Sequence, residues 1–143
     1  MTPPRMHALA LAAILLGAPG TAGAVGLQVM IPRVKPEDGK VIVQLYDDPA
    51  AWKAGGKPRQ VTAATFRDGV AVVQLQVPAG QYAIAAFQDR NGDGKLGTLA
   101  FGWPTELSGY SGVTRPMFGR PDFGQSDFTV SEEQRTTVFV RLK

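Results

Sequence analysis

Alternation of apolar and polar residues runs through most of the chain after residue 25. Leu27, Val29 and Ile31 alternate with Gln28 and Met30, and Pro32 closes the run. A period of two puts every second side chain on one face, so it predicts a strand with one face in a core. The pattern returns over residues 40–47, with Val41, Val43 and Leu45 together. It returns again over 70–77, with Ala71, Val73, Leu75 and Val77 opposite Gln74 and Gln76. Asp48-Pro49 ends the second strand, and residues 50–53 predict one helical turn carrying Trp52. A weaker strand is expected at 60–66, and Asp68-Gly69 supplies the φ > 0 residues of a tight hairpin into residue 70.

Residues 81–88 break the alternation. Tyr82 and Ile84 are apolar on one face, and Ala83, Ala85 and Phe87 on the other. Such a run predicts a central strand covered on both sides. The small alanines leave room for close approach by another segment. Two closing strands are expected at 126–130 and 136–142, with a turn at Glu132-Glu133 and Val138, Val140 and Leu142 facing inward. Seven short strands at hairpin spacing predict an all-β, seven-stranded sandwich of immunoglobulin or transthyretin type.

Between these strands, residues 89–125 show no period. A segment this long in a small domain is usually functional or disordered. Phe101, Trp103, Tyr110, Phe118 and Phe123 are too many aromatics for a solvated linker, so one long ordered loop folded over a sheet is expected. Trp103, Tyr110, Phe118 and Phe123 have two roles open to them. They form a ligand platform, or they pack the loop onto the sheet, and the second is preferred because large aromatics bury first. Arg115 and Arg120 are expected to form surface ion pairs with Asp122 or Glu106.

The loop opens on Asp89-Arg90-Asn91-Gly92-Asp93-Gly94-Lys95-Leu96. Oxygen-bearing side chains at alternate positions followed by glycine match the first half of an EF-hand-type calcium loop. Ca²⁺ takes about six to eight oxygens at roughly 2.3–2.6 Å, which alternate side chains of a tight turn can supply. The expected donors are Asp89, Asn91, Asp93 and the Lys95 carbonyl. Gly97 and Ala100 stand where a ninth and twelfth ligand belong, so Glu106 is the nearest later carboxylate that could close the site. The competing reading is two turn dipeptides, Asn91-Gly92 and Asp93-Gly94, with no metal.

The stretch from Phe101 to Ser111, FGWPTELSGYS, resembles an F-G-x-P-x-E-x-x-G-[FY]-S motif, and Phe118 to Phe123, FGRPDF, resembles a later F-G-x-P-x-F element. With the upstream D-x-N-x-D-G-K-L, the chain resembles the bacterial secreted family catalogued as domain of unknown function 2141. That resemblance implies a secreted β-sandwich with no established activity. Where such relatives carry G-K-L-D-x-N, this chain has Gly97 and Leu99, which removes two oxygen side chains from any metal site.

Residues 1–24 read as a secretory signal peptide. Arg5 is its positive end, residues 8–18 its apolar run, and Ala22-Gly23-Ala24 its cleavage site. The run is too short for the roughly 20 residues of a membrane span. A single domain over 25–143 is therefore expected in the periplasm or outside the cell, as a monomer with no membrane span. With 15 Lys and Arg scattered among 12 Asp and Glu, no basic face points to nucleic acid.

His7, the one histidine, falls in the signal, and there is no cysteine. Imidazole-based and thiol-based catalysis and the common zinc sites are thereby excluded from the domain. The expected function is a non-enzymatic binding or accessory module, with calcium as its one candidate cofactor and an envelope protein or glycan as partner. Two alternatives stand beside it: a small carboxylate-dependent glycan hydrolase using Asp89, Asp93 and Glu106, and a purely structural envelope protein.

Overall fold

The computed structural model describes residues 23–100, 103–112 and 119–143. The expected signal peptide thus lies almost wholly outside the described residues. Among the described residues there are nine strands, two more than the expected seven because the run 60–66 divides and residues 108–110 pair as a strand: β1 (Val25–Pro32), β2 (Lys40–Tyr46), β3 (Gln60–Ala63), β4 (Thr65–Arg67), β5 (Val70–Val77), β6 (Gly80–Asp89), β7 (Ser108–Tyr110), β8 (Phe128–Val130) and β9 (Thr136–Phe139). Two short helices, α1 (Pro49–Ala54) and α2 (Phe123–Ser126), accompany them.

The strands form two sheets, β4-β5-β1-β9 and β3-β2-β6-β7, with β8 pairing the first residues of β6. Registers such as Leu27↔Leu75 and Leu45↔Ile84 bring the apolar faces of neighbouring strands level. The expected inward residues of β1 and β5 then meet those of β2 and β6 in one buried cluster that includes Val29, Val43, Val73 and Ile84. At roughly 1.5–3 kcal/mol for each fully buried Val, Leu or Ile, this shared face outweighs any single polar contact in holding the sheets together. The protein is all-β with two sheets on one core.

Local signals behave as their chemistry requires. Asp68 (φ 50°) and Gly69 (φ 78°) make the tight turn between β4 and β5. The Asp48 carboxylate accepts the Ala50 N–H at 2.9 Å, and Pro49 starts α1 without a donor to lose. Gly55, in the left-handed region, ends that helix. This single turn delivers Trp52 to the outer face of the second sheet.

Three expectations about strands are corrected. The run 60–66 divides at Ala64 into β3 and β4, which lie at the edges of different sheets; the Ala64 N–H donates to the Val41 carbonyl at the corner. The run 126–130 begins too early, because Ser126 ends α2. The two closing strands are not a hairpin: β8 is antiparallel to β6, while β9 is parallel to β1. Alternation reveals which face of a strand is apolar but carries no information about its partner, and here Val130 and Val140 enter the same core from opposite sheets.

After β9 the chain crosses to the second sheet, where Lys143 and Ser108 exchange N–H···O bonds of 3.0 and 3.2 Å. Sheet-changing segments therefore join the two sheets along both sides. Among the described residues, no helix is long and apolar enough to cross a membrane.

Candidate functional site

The candidate site sits where the segment after β6 folds back over the outer face of the second sheet. Its base is a turn closed by carboxylates. Asp89 is 5% exposed, and its two oxygens accept the N–H groups of Gly92 and Gly94 at 2.9 and 2.8 Å. Asn91 Oδ1 accepts from Asp93 N–H at 3.1 Å, and Asp93 Oδ1 from Lys95 N–H at 2.8 Å. Gly92 and Gly94 take φ of 75° and 73°, which a Cβ would penalise.

Glu106 takes the role that goes with the metal-free reading of the turn, bonding backbone N–H groups inside the long segment. It is 8% exposed, its Oε1 accepts Arg90 N–H at 2.8 Å, and its Oε2 accepts Gly97 N–H at 3.0 Å. One carboxylate thus bridges the two ends of the turn. To close a calcium site it would have to give up both of these part-buried hydrogen bonds to a charged acceptor. Glu106 is a backbone clamp. Among the described residues, no group of three or more His, Cys, Asp or Glu side chains is arranged to hold a metal ion.

Beyond Glu106 the chain enters the sheet as β7, which the sequence pattern did not reveal. Gly109 sits there because a Cβ would run into the Arg141 carbonyl of the crossing C-terminal segment. Ser111 follows, 1% exposed. Its Oγ accepts Ile84 N–H at 2.8 Å and donates to the Ser126 carbonyl at 2.6 Å, tying β6 to the end of α2. Glu106, Gly109 and Ser111 of the FGWPTELSGYS motif are thus the residues that anchor the segment.

The aromatic residues organise around Trp52, which is fully buried. Its Nε1–H donates to the Pro121 carbonyl at 2.7 Å. Tyr46, Tyr110 and Phe123 meet it edge-on, with ring centroids 5.3, 5.7 and 6.2 Å away. Ala83 and Ala85 of β6 floor this cluster, so the small side chains admit the close approach that their size predicts.

Arg120 fills the space between the rings. Its Cζ lies 4.8 Å from the centroid of Trp52, 5.1 Å from Tyr46 and 5.8 Å from Tyr110. Cation–π attraction to three rings holds the guanidinium in one orientation. The expected surface pairing of Arg120 with Asp122 or Glu106 is therefore corrected. Among the described residues the only ion pair is Arg59–Asp47 at 2.6 Å. Asp122 instead stands at the N-cap of α2, where its N–H donates to Gln125 Oε1 at 3.1 Å and its carbonyl accepts the Gln125 N–H at 3.0 Å.

Beside this cage lies an open cleft of about 220 Å³, lined by Gln44, Tyr46, Phe87, Lys95, Tyr110 and Arg120 among others. The volume falls below the roughly 300–1,000 Å³ of pockets for drug-sized ligands, so it suits a compact one. Among the described residues no Asp or Glu lines it, while Lys95 and Arg120 do. Burial pushes the Tyr110 phenol upward, against the lowering pull of the Arg120 charge. Tyr110 is therefore a neutral hydroxyl near neutral pH.

The expected platform residues thus divide. Tyr110 and Phe123 pack around Trp52, Trp103 stands 69% exposed, and Phe118, like Arg115, lies outside the described residues. Trp103 contradicts the expectation that these aromatics bury themselves. It sits on a small hairpin where Leu99 N–H donates to its carbonyl and Thr105 N–H to that of Gly97. Arg120 is the residue that sequence reasoning missed as part of a site. The available signal was an arginine inside an FGRPDF element rich in aromatics.

No curated protein and no solved structure matches the chain. A family model does: that of domain of unknown function 2141, an uncharacterized protein conserved in bacteria, matches residues 29–138, and the chain belongs to that family.

Proposed function

We propose that the protein is an exported, non-enzymatic binding or accessory module, an immunoglobulin- or transthyretin-like sandwich whose ligand sits in the cleft on its second sheet. The observation that carries this reading is the cleft itself, built from a cation set among aromatic rings and with no carboxylate among its described lining residues. A glycan hydrolase needs two carboxyl groups facing an open groove. Asp89 and Glu106 instead spend all four oxygens on backbone N–H groups. A purely structural role gives no reason to hold a guanidinium beside an open cleft.

Calcium enters this reading only as an accessory. Asp89, Asn91, Asp93 and the Lys95 carbonyl supply its donor types, but Asp89, Asn91 and Asp93 each accept backbone N–H groups within the turn, so calcium would have to share or displace those bonds, and sites of the extracellular kind bind at roughly 10⁻⁴–10⁻³ M. A calcium-dependent rise in melting temperature that Asp93→Ala removes is the expected sign of such a site.

The test of the binding reading is a thermal-shift screen of compact metabolites and envelope oligosaccharides against the wild type and Gln44→Trp, which fills the cleft. Stabilisation by a hit in the wild type and its loss in Gln44→Trp is expected. Oligosaccharide cleavage abolished by Glu106→Gln would instead establish the hydrolase.

A further inference from the structure

We infer that the cleft recognises an oxyanion, a carboxylate or phosphate group carried by a compact ligand, with Arg120 as its principal contact and Lys95 at its rim. The inference rests on the binding reading above and names the chemistry of its ligand. Arg120 Nη1 is buried and has no hydrogen-bond partner among the described residues. A buried donor left unpaired costs about 1–3 kcal/mol, so a native structure that keeps one invites an explanation. Here the rings of Trp52, Tyr46 and Tyr110 attract the cation as a charge but offer no oxygen to its N–H groups. The guanidinium is held in place while its hydrogen-bonding capacity is left over.

That combination matches what oxyanion recognition needs. A planar fork of N–H donors fits carboxylate and phosphate oxygens two at a time, and prior immobilisation removes part of the entropy cost of binding. Lys95 brings a second positive charge to the same cleft. No carboxylate among the described residues forms an ion pair with either cation, the one ion pair being Arg59–Asp47; the oxygens of Asp89 and Glu106 accept backbone N–H groups. The Tyr46 hydroxyl donates to the Gly56 carbonyl. Tyr110, kept protonated by its burial, adds a hydroxyl at the cleft wall.

The experiment measures melting temperature and calorimetric binding with inorganic phosphate, sulfate and acetate, each against chloride at equal ionic strength. Saturable binding of at least one oxyanion is expected, with no matching effect of chloride. Preference for phosphate over acetate points to a phosphoryl ligand, and the reverse to a carboxylate. Arg120→Gln should weaken binding about 10–100-fold, the range of charge-assisted hydrogen bonds. Arg120→Lys keeps the charge but loses the fork and should weaken it about tenfold. Lys95→Gln changes an exposed side chain, leaves the aromatic cluster intact, and should weaken binding about threefold. If Arg120→Gln does not fold, Arg120→Lys and Lys95→Gln carry the test. Equal stabilisation by chloride, or binding unmoved in both of those variants, overturns the inference. A neutral ligand that binds the wild type, is lost in Gln44→Trp and ignores Arg120→Lys overturns it too, while leaving the binding reading in place.

Discussion

Removing the Glu106 carboxylate tests how the long segment is held. In Glu106→Ala the N–H groups of Arg90 and Gly97 both lose their acceptor, at 2.8 and 3.0 Å in the wild type. Hydrogen bonds to a charged group contribute about 1.5–3 kcal/mol each. Both N–H groups are only partly buried, so water can replace some of the loss, and the lower end of the range applies. The expected destabilisation is about 3 kcal/mol, which for a domain between the small and middle size classes is roughly 12 °C in melting temperature. Glu106→Gln keeps one acceptor and turns an amide NH₂ toward the other N–H, so it should lose about 2 kcal/mol. The assay is urea or thermal unfolding with a calcium chelator present throughout. A clamp made of hydrogen bonds shows its full effect there. Wild-type stability of Glu106→Ala in chelator, with a loss appearing only on adding calcium, would refute the clamp and return Glu106 to the metal.

Two further outcomes follow from the buried contacts. Ser111→Ala strips the Ile84 N–H of its acceptor and the Ser126 carbonyl of its donor, and should lower stability by about 2–3 kcal/mol; an unchanged urea midpoint would show that β6 and α2 are not joined there. At alkaline pH, the phenols of Tyr110 and Tyr82 are both held above their ordinary value, burial being the first cause in each. The unfolded chain then releases those protons first, so their contribution is intact below about pH 10 and is lost as pH rises through the higher folded-state values. Tyrosinate absorbance followed alongside unfolding checks the sign, and stability that climbs above about pH 10 would contradict it.

The period of two settled a great deal without any tertiary information. Val41, Val43 and Leu45, or Ala71, Val73, Leu75 and Val77, can share a face only if the backbone is extended, so strand positions and inward residues were legible. Asp68-Gly69, Asp48-Pro49 and the double-sided apolar run over β6 were legible for the same local reasons. Partnership was not. Whether β9 lies beside β8 or β1 depends on which buried surface the whole chain can close, and both arrangements satisfy the same alternation. The three residues of β7 were hidden because Ser108-Gly109-Tyr110 has almost no apolar pattern; its place is set by Glu106 and Ser111 bonding to distant backbone. The spacing of Asp89, Asn91 and Asp93 announced a turn, and it is one. What Glu106 does was decided only when folding brought Arg90 and Gly97 N–H within its reach. Arg120 shows the division most clearly. As a charged residue between glycine and proline it reads as solvent-facing. The tertiary structure surrounds it with Trp52, Tyr46 and Tyr110, drawn from three separate segments, because only the folded chain can assemble aromatic faces around a cation.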